Sequence, residues 1–152
     1  MLGAALIVFA VDPGGGTGCA TYDSETGDFR SWEEHGFLAA AKSISETMPN
    51  VDACVCENYI VTARTSQLTQ QTEPLRLIGV TEWEASLCNI PFKLQQPSAR
   101  KPATDTVLKT LGWFVKTKDM HSADAARHLF VFCARMGLLT EDARHRLKKS
   151  LS

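Results

Sequence analysis

The chain has 152 residues, 44% of them hydrophobic and 22% charged, with a net charge of −1, which is the balance of one ordinary globular domain built on one core. So small a net charge excludes a polybasic protein held to nucleic acid by bulk electrostatics. The longest apolar run, residues 2–11, is too short for a bilayer, has no basic stretch before it and ends in Asp12 and glycines, so it reads as a buried strand and not as an anchor or signal peptide.

Residues 4–11 predict that strand, closed by the turn Asp12-Pro13-Gly14-Gly15-Gly16. Residues 17–22 return, a turn falls at Glu25-Thr26-Gly27-Asp28, and residues 29–37 give a third strand of an antiparallel meander. A short helix over 39–48 stops at Pro49-Asn50. Residues 51–60 contain Ala53-Cys54-Val55-Cys56, an interior strand whose two cysteines share one face as small buried hydrophobes. Residues 62–71 form a polar loop with one cation, Arg64.

A long helix runs from about Thr72, its expected N-cap, to near Asn89. Its apolar residues Leu75, Leu77, Ile78, Val80, Trp83, Ala85 and Leu87 exceed one stripe, which predicts burial by the sheet and by another helix or subunit. Residues 91–95 predict a fifth strand, 95–104 a basic connection holding Arg100 and Lys101, and 104–111 a short helix closed by Gly112. A last helix over 121–136 leads into a polar, basic tail at about 140–152. The order predicts an α/β fold in a single domain, 1–152, with a five-stranded mixed sheet flanked by helices.

The five cysteines are odd in number and match no zinc spacing, which points to a reducing, cytoplasmic compartment. Residues 1–57 carry nine Asp/Glu and two Lys/Arg, whereas residues 58–152 carry eight and fourteen. An acidic front and a basic back suit metal ligands beside a phosphate-binding surface, and equally suit solvated faces.

Asp12 and Glu57 each end a buried strand, where an open sheet places its functional groups. Neighbouring carboxylates there repel and need a cation or a shared proton, although Asp-Pro-Gly is also plain turn chemistry. In His121-Ser122-Ala123-Asp124-Ala125-Ala126-Arg127-His128, helical spacing puts His121, Asp124 and His128 within about 60° of one another. The alanines let that helix approach the sheet closely. Two strand carboxylates with an Asp and a His from a helix form a hard, oxygen-rich set suited to Mg²⁺, with Mn²⁺ able to substitute. Two such ions about 3.5–4 Å apart activate water and clamp a phosphate in an in-line displacement.

The segments Phe9-Ala10-Val11-Asp12-Pro13-Gly14 with Thr17-Gly18, Val55-Cys56-Glu57-Asn58-Tyr59, and His121-Ser122-Ala123-Asp124-Ala125 resemble the successive active-site motifs of RuvC-type Holliday junction resolvases. The resemblance runs through nearly the whole chain in order and spacing, and is nearest the short members found in bacteriophages. It implies an RNase H-like fold, a homodimer packed through the long helix, and symmetric nicking of four-way DNA junctions that leaves 5′-phosphate ends. It assigns Asp12, Glu57 and Asp124 to the metals and His121 to a position that is His or Asp in the family. It places Arg100 and Lys101 near the scissile phosphate, Arg64 in a loop approaching the junction, and Tyr59 near an aromatic that contacts bases.

The same chemistry suits flaps, forks or other branched DNA. Asp12-Pro13-Gly14-Gly15-Gly16-Thr17-Gly18 also resembles the phosphate loop of actin and sugar-kinase folds. That fold needs a second related domain, so no nucleotide cofactor is expected. A non-catalytic junction binder would leave carboxylates facing phosphates with nothing to neutralise them. His128 reads first as a satisfied surface histidine and second as a residue that supports the site from behind, and Trp32, Trp83 and Trp113 read as packing residues, with Trp113 the best stacking candidate.

Overall fold

The computed structural model describes residues 4–60 and 72–152. Strands β1 (Ile7–Asp12), β2 (Gly16–Asp23), β3 (Phe29–His35), β4 (Ala53–Glu57) and β5 (Phe92–Gln95) form one sheet in the order β3-β2-β1-β4-β5. The first three pair antiparallel, and β4 and β5 continue parallel to β1. Five helices accompany them among the described residues: α1 (Phe37–Thr47), α2 (Glu73–Leu87), α3 (Asp105–Leu111), α4 (His121–Arg135) and α5 (Glu141–Ser150). The expected α/β fold, a mixed five-stranded sheet flanked by helices, is what the chain forms.

Alternation along β1 divides the core. Phe9 and Val11 join Cys19, Cys54 and Cys56 beneath α1 and α2, where Ile44, Leu77 and Ala85 complete a buried cluster. Val8 and Ala10 point the other way, with Ala20, Tyr22 and Val55, against Ala125, Ala126, Leu129 and Cys133 of α4. Trp113 is buried there, stacked on Phe29, so it packs the core and offers no face to a base. Burial pushes the thiols of Cys19, Cys54, Cys56 and Cys133 up, which keeps them protonated and inert.

The basic segment near the C-terminus is a helix and not a tail. Thr140 caps α5 by accepting from the Ala143 N–H at 3.2 Å. Glu141 and Asp142 stand in its first turn and Lys148 and Lys149 in its last, the arrangement that complements the helix dipole. Ala143 and Leu147 anchor it on the α4 side of the core. Only these two small contacts are apolar, so the periodicity was too thin to read. Among the described residues, no helix is long and apolar enough to cross a membrane.

On α2, Leu77, Ile78 and Ala85 are buried, while Leu75, Trp83 and Leu87 are 46%, 62% and 61% exposed. The second apolar stripe is therefore present but uncovered within one chain, and Trp83 does not pack in this core.

Candidate functional site

One row of residues crosses the sheet on the side that faces α4. Glu33 pairs with Gly18, Gly18 with Asp12, and Glu57 with Gln95. Asp12 and Glu57 each follow the paired residues Val11 and Cys56. Because side chains alternate, all five occupy the face that also presents Ala10 and Val55 to α4. The aliphatic core ends at this row and polar chemistry begins.

The N-terminal half of α4 lies directly over it. A Cβ built on Gly18 would stand 1.9 Å from the His121 carbonyl oxygen, so only glycine lets the helix come down. Met120, in the left-handed region at φ 60°, enters the helix with no side-chain cap of its own. Glu33 caps it from across the sheet: its Oε1 accepts from the Ser122 N–H at 3.0 Å and from the Thr117 hydroxyl. Thr117 Oγ1 in turn accepts from the Met120 N–H at 3.0 Å. Burial pushes the Glu33 carboxyl up, but the Thr117 and Ser122 hydrogen bonds outweigh it and hold the group below its ordinary value.

So placed, α4 delivers three side chains to the row. His121 Nδ1 meets Asp12 Oδ2 at 3.2 Å. The His121 ring lies along the glycine turn, where a Cβ on Gly16 would stand 2.9 Å from its Cδ2. At Gly16 the imidazole thus occupies the space of a side chain, whereas a Cβ on Gly14 would meet the Gly16 carbonyl at 2.8 Å and one on Gly15 would stand in open space. Asp124 Oδ2 lies 2.7 Å from Arg100 Nη1, and the same nitrogen is 3.4 Å from Glu57 Oε2. Arg127 holds Asp124 Oδ1 at 3.3 Å and the Ala103 carbonyl at 2.5 Å. His128, fully buried, places Nε2 2.6 Å from Glu57 Oε2 and Nδ1 2.7 Å from Gln95 Oε1.

The electrostatics are those of carboxylates that oppose one another. Burial raises Asp12 from 3.8 to about 6; the His121 hydrogen bond opposes the rise, and Glu57 and Asp124 add to it by repulsion. His121 is raised in turn, chiefly by its hydrogen bond to Asp12. Among the described residues no three His, Cys, Asp or Glu side chains converge on one point as they stand. The Arg100 guanidinium lies between Glu57 and Asp124, where positive charge is required. Asp12, Glu57 and Asp124 with the His121 imidazole are, in donor chemistry, a set that fits Mg²⁺ or Mn²⁺.

The structure therefore brings Asp12, Glu57, His121 and Asp124 together, with Arg100 among them. Lys101 is exposed beside them, lining with Arg100, Asp124 and Arg127 an open cavity of about 540 Å³. Tyr59 packs against the cluster under α1 and α2, across the sheet from the carboxylates. Arg64 lies outside the described residues. His128 is not a surface histidine: it is sealed beneath α4 against Glu57 and Gln95. Sequence reasoning missed Glu33 and Gln95, and it quoted Gly18 in a motif without its role beneath α4; only their place in the sheet register, one row with Asp12 and Glu57, reveals them.

Two solved structures share this architecture. Thermus thermophilus RuvC matches with a TM-score of 0.61 at 20% identity, over 87% of this chain and 97% of its own. T. thermophilus RuvC in complex with Holliday junction substrate matches with a TM-score of 0.60 at 16% identity, over 87% and 96%. The chain thus has the RNase H-like fold of RuvC. No family model matches it, and no curated protein matches it in sequence.

Proposed function

We propose that this chain is a metal-dependent, structure-selective endodeoxyribonuclease of the RuvC type, which resolves four-way DNA junctions by paired phosphodiester hydrolysis. The observation that carries the proposal is that Asp12 and Glu57 of the sheet row lie near enough to each other and to Asp124 of α4 for repulsion from both to help raise Asp12, on an RNase H-like sheet. A buried carboxylate opposed by two half-buried ones is destabilising unless a cation joins them, and their place beside basic side chains suits a phosphodiester substrate.

Asp12, Glu57, Asp124 and His121 would hold Mg²⁺, with Mn²⁺ as a substitute. Bound there, the ions would supply Lewis acidity at the phosphate and a hydroxide nucleophile near neutral pH. Asp12 orients the His121 imidazole through Nδ1, keeping it at the edge of the site as a ligand or as a proton acceptor for water. Arg127 fixes Asp124 through Nε and is itself anchored on the Ala103 carbonyl. Arg100 and Lys101, at the mouth of the site, hold the backbone phosphates by charge-assisted hydrogen bonds.

Two symmetric cuts require two active sites. The stripe Leu75, Gly79, Trp83 and Leu87, repeating every four residues on α2 with its large side chains exposed, supports a homodimer formed through that helix. The T. thermophilus protein whose complex shares this fold was bound to a Holliday junction substrate, which supports branched DNA as the partner here.

Incubation with synthetic four-way junctions, flaps, forks and RNA, in Mg²⁺ and in chelator, tests the reading. Mg²⁺-dependent nicks on opposed strands of the four-way junction are expected. Preferential cutting of flaps or forks would move the substrate to other branched DNA, and no cutting of any substrate would overturn the proposal.

A further inference from the structure

We propose that His128 is a positioning residue for Glu57: it donates from Nε2 to one carboxylate oxygen, is itself held by Gln95, and so fixes the direction in which Glu57 presents its other oxygen to metal. The inference rests on the metal-site reading above and adds to it a residue that the motifs do not contain.

The geometry leaves little choice of proton placement. His128 is fully buried, and its two ring nitrogens meet Glu57 Oε2 at 2.6 Å and Gln95 Oε1 at 2.7 Å. Against a carboxylate, the form in which Glu57 would hold metal, a lone pair on Nε2 would be repelled at that distance, so in that form Nε2 carries a hydrogen. Gln95 is buried, and its amide Nε2 has no partner among the described residues. With the amide turned about, that NH₂ donates to His128 Nδ1 and the imidazole is neutral; as placed, Nδ1 also donates. Both arrangements put the Nε2 hydrogen on Glu57.

The three residues belong to different elements, β4, β5 and α4, and meet because Glu57 and Gln95 are partners in the sheet register. A histidine sealed between them cannot rotate without leaving polar atoms buried and unpaired. Glu57 is therefore braced from below by His128, while Arg100 approaches the same Oε2 at 3.4 Å from the open side. Outer hydrogen bonds of this kind usually change metal affinity by about 10- to 100-fold when removed.

Calorimetric titration of Mn²⁺ into the intact chain provides the test, alongside His128→Gln and His128→Asn. Glutamine extends its amide N–H to roughly the place of Nε2, whereas asparagine reaches only the place of Nδ1. The expected result is Mn²⁺ affinity within about threefold of wild type for His128→Gln, and a loss of about tenfold or more for His128→Asn. With Glu57→Gln already in place, His128→Asn is expected to change the affinity no further. Unchanged Mn²⁺ affinity in His128→Asn, beside tight wild-type binding, would overturn the role of His128 while leaving the metal site intact. Absence of Mn²⁺ binding by the wild type would overturn the metal-site reading and this inference with it. Proton-detected nitrogen NMR of the wild-type imidazole reads the arrangement without any variant: a protonated, hydrogen-bonded Nε2 is expected, and a bare Nε2 would contradict it.

Discussion

Replacing Asp12 by asparagine should make the metal-free protein more stable while destroying its chemistry. Asp12 is 4% exposed, and burial raises its carboxyl from 3.8 to about 6. The folded chain therefore binds a proton there more tightly than the unfolded chain does. Stability from this group is present below pH 4 and is lost as pH rises through about 6. At about 1.4 kcal/mol per pH unit, ionised Asp12 costs the fold on the order of 3 kcal/mol at pH 7.5 and about half that at pH 5. Asparagine removes the charge but keeps an oxygen that accepts from His121. Thermal melts in chelator should show Asp12→Asn above wild type by roughly 4–10 °C at pH 7.5, with the gap narrowing by about half at pH 5. Mg²⁺ should then raise the wild type and leave the variant where it was. A variant less stable than wild type at pH 7.5, or a gap independent of pH, would refute the reasoning.

Gly18→Ala should lower stability by about 3 kcal/mol, because its Cβ would meet the His121 carbonyl; an unchanged melt would show that α4 does not rest on the sheet there. Glu33→Ala removes the cap of α4 and should destabilise by about 1–2 kcal/mol, measured by urea titration, with weaker Mn²⁺ binding as His121 loosens. Trp83→Glu should convert a dimer to a 16.7 kDa monomer in analytical ultracentrifugation; a wild type that sediments as a monomer would contradict the α2 interface.

The parts of this fold that were legible in the sequence are those written in local periodicity. Apolar runs ended by Asp12 and Glu57 marked the two central strands, and each begins or ends within a few residues of its expected place. His121 and Asp124 were legible because a helix puts them on one face, whatever it packs against. The remainder depends on register between distant strands. Glu33 caps a residue 89 positions away, and Gly18 is required only because α4 crosses it. His128 looked like a surface residue because nothing local says that Glu57 and Gln95 lie beneath it. Basic residues are ambiguous in the same way: the resemblance placed Arg100 near a phosphate, but nothing local marks it as the cation that bridges Glu57 and Asp124. Helix α5 escaped because its fold-facing positions are few and its charges many.

The most direct test of the account is cleavage of an end-labelled four-way junction in Mg²⁺ by the wild type and by Asp12→Asn. Wild type should leave nicks at symmetric positions on two opposed strands, while the variant binds the same junction and leaves it whole. Equal cleavage by both proteins would remove Asp12 from the chemistry and contradict the account at its centre.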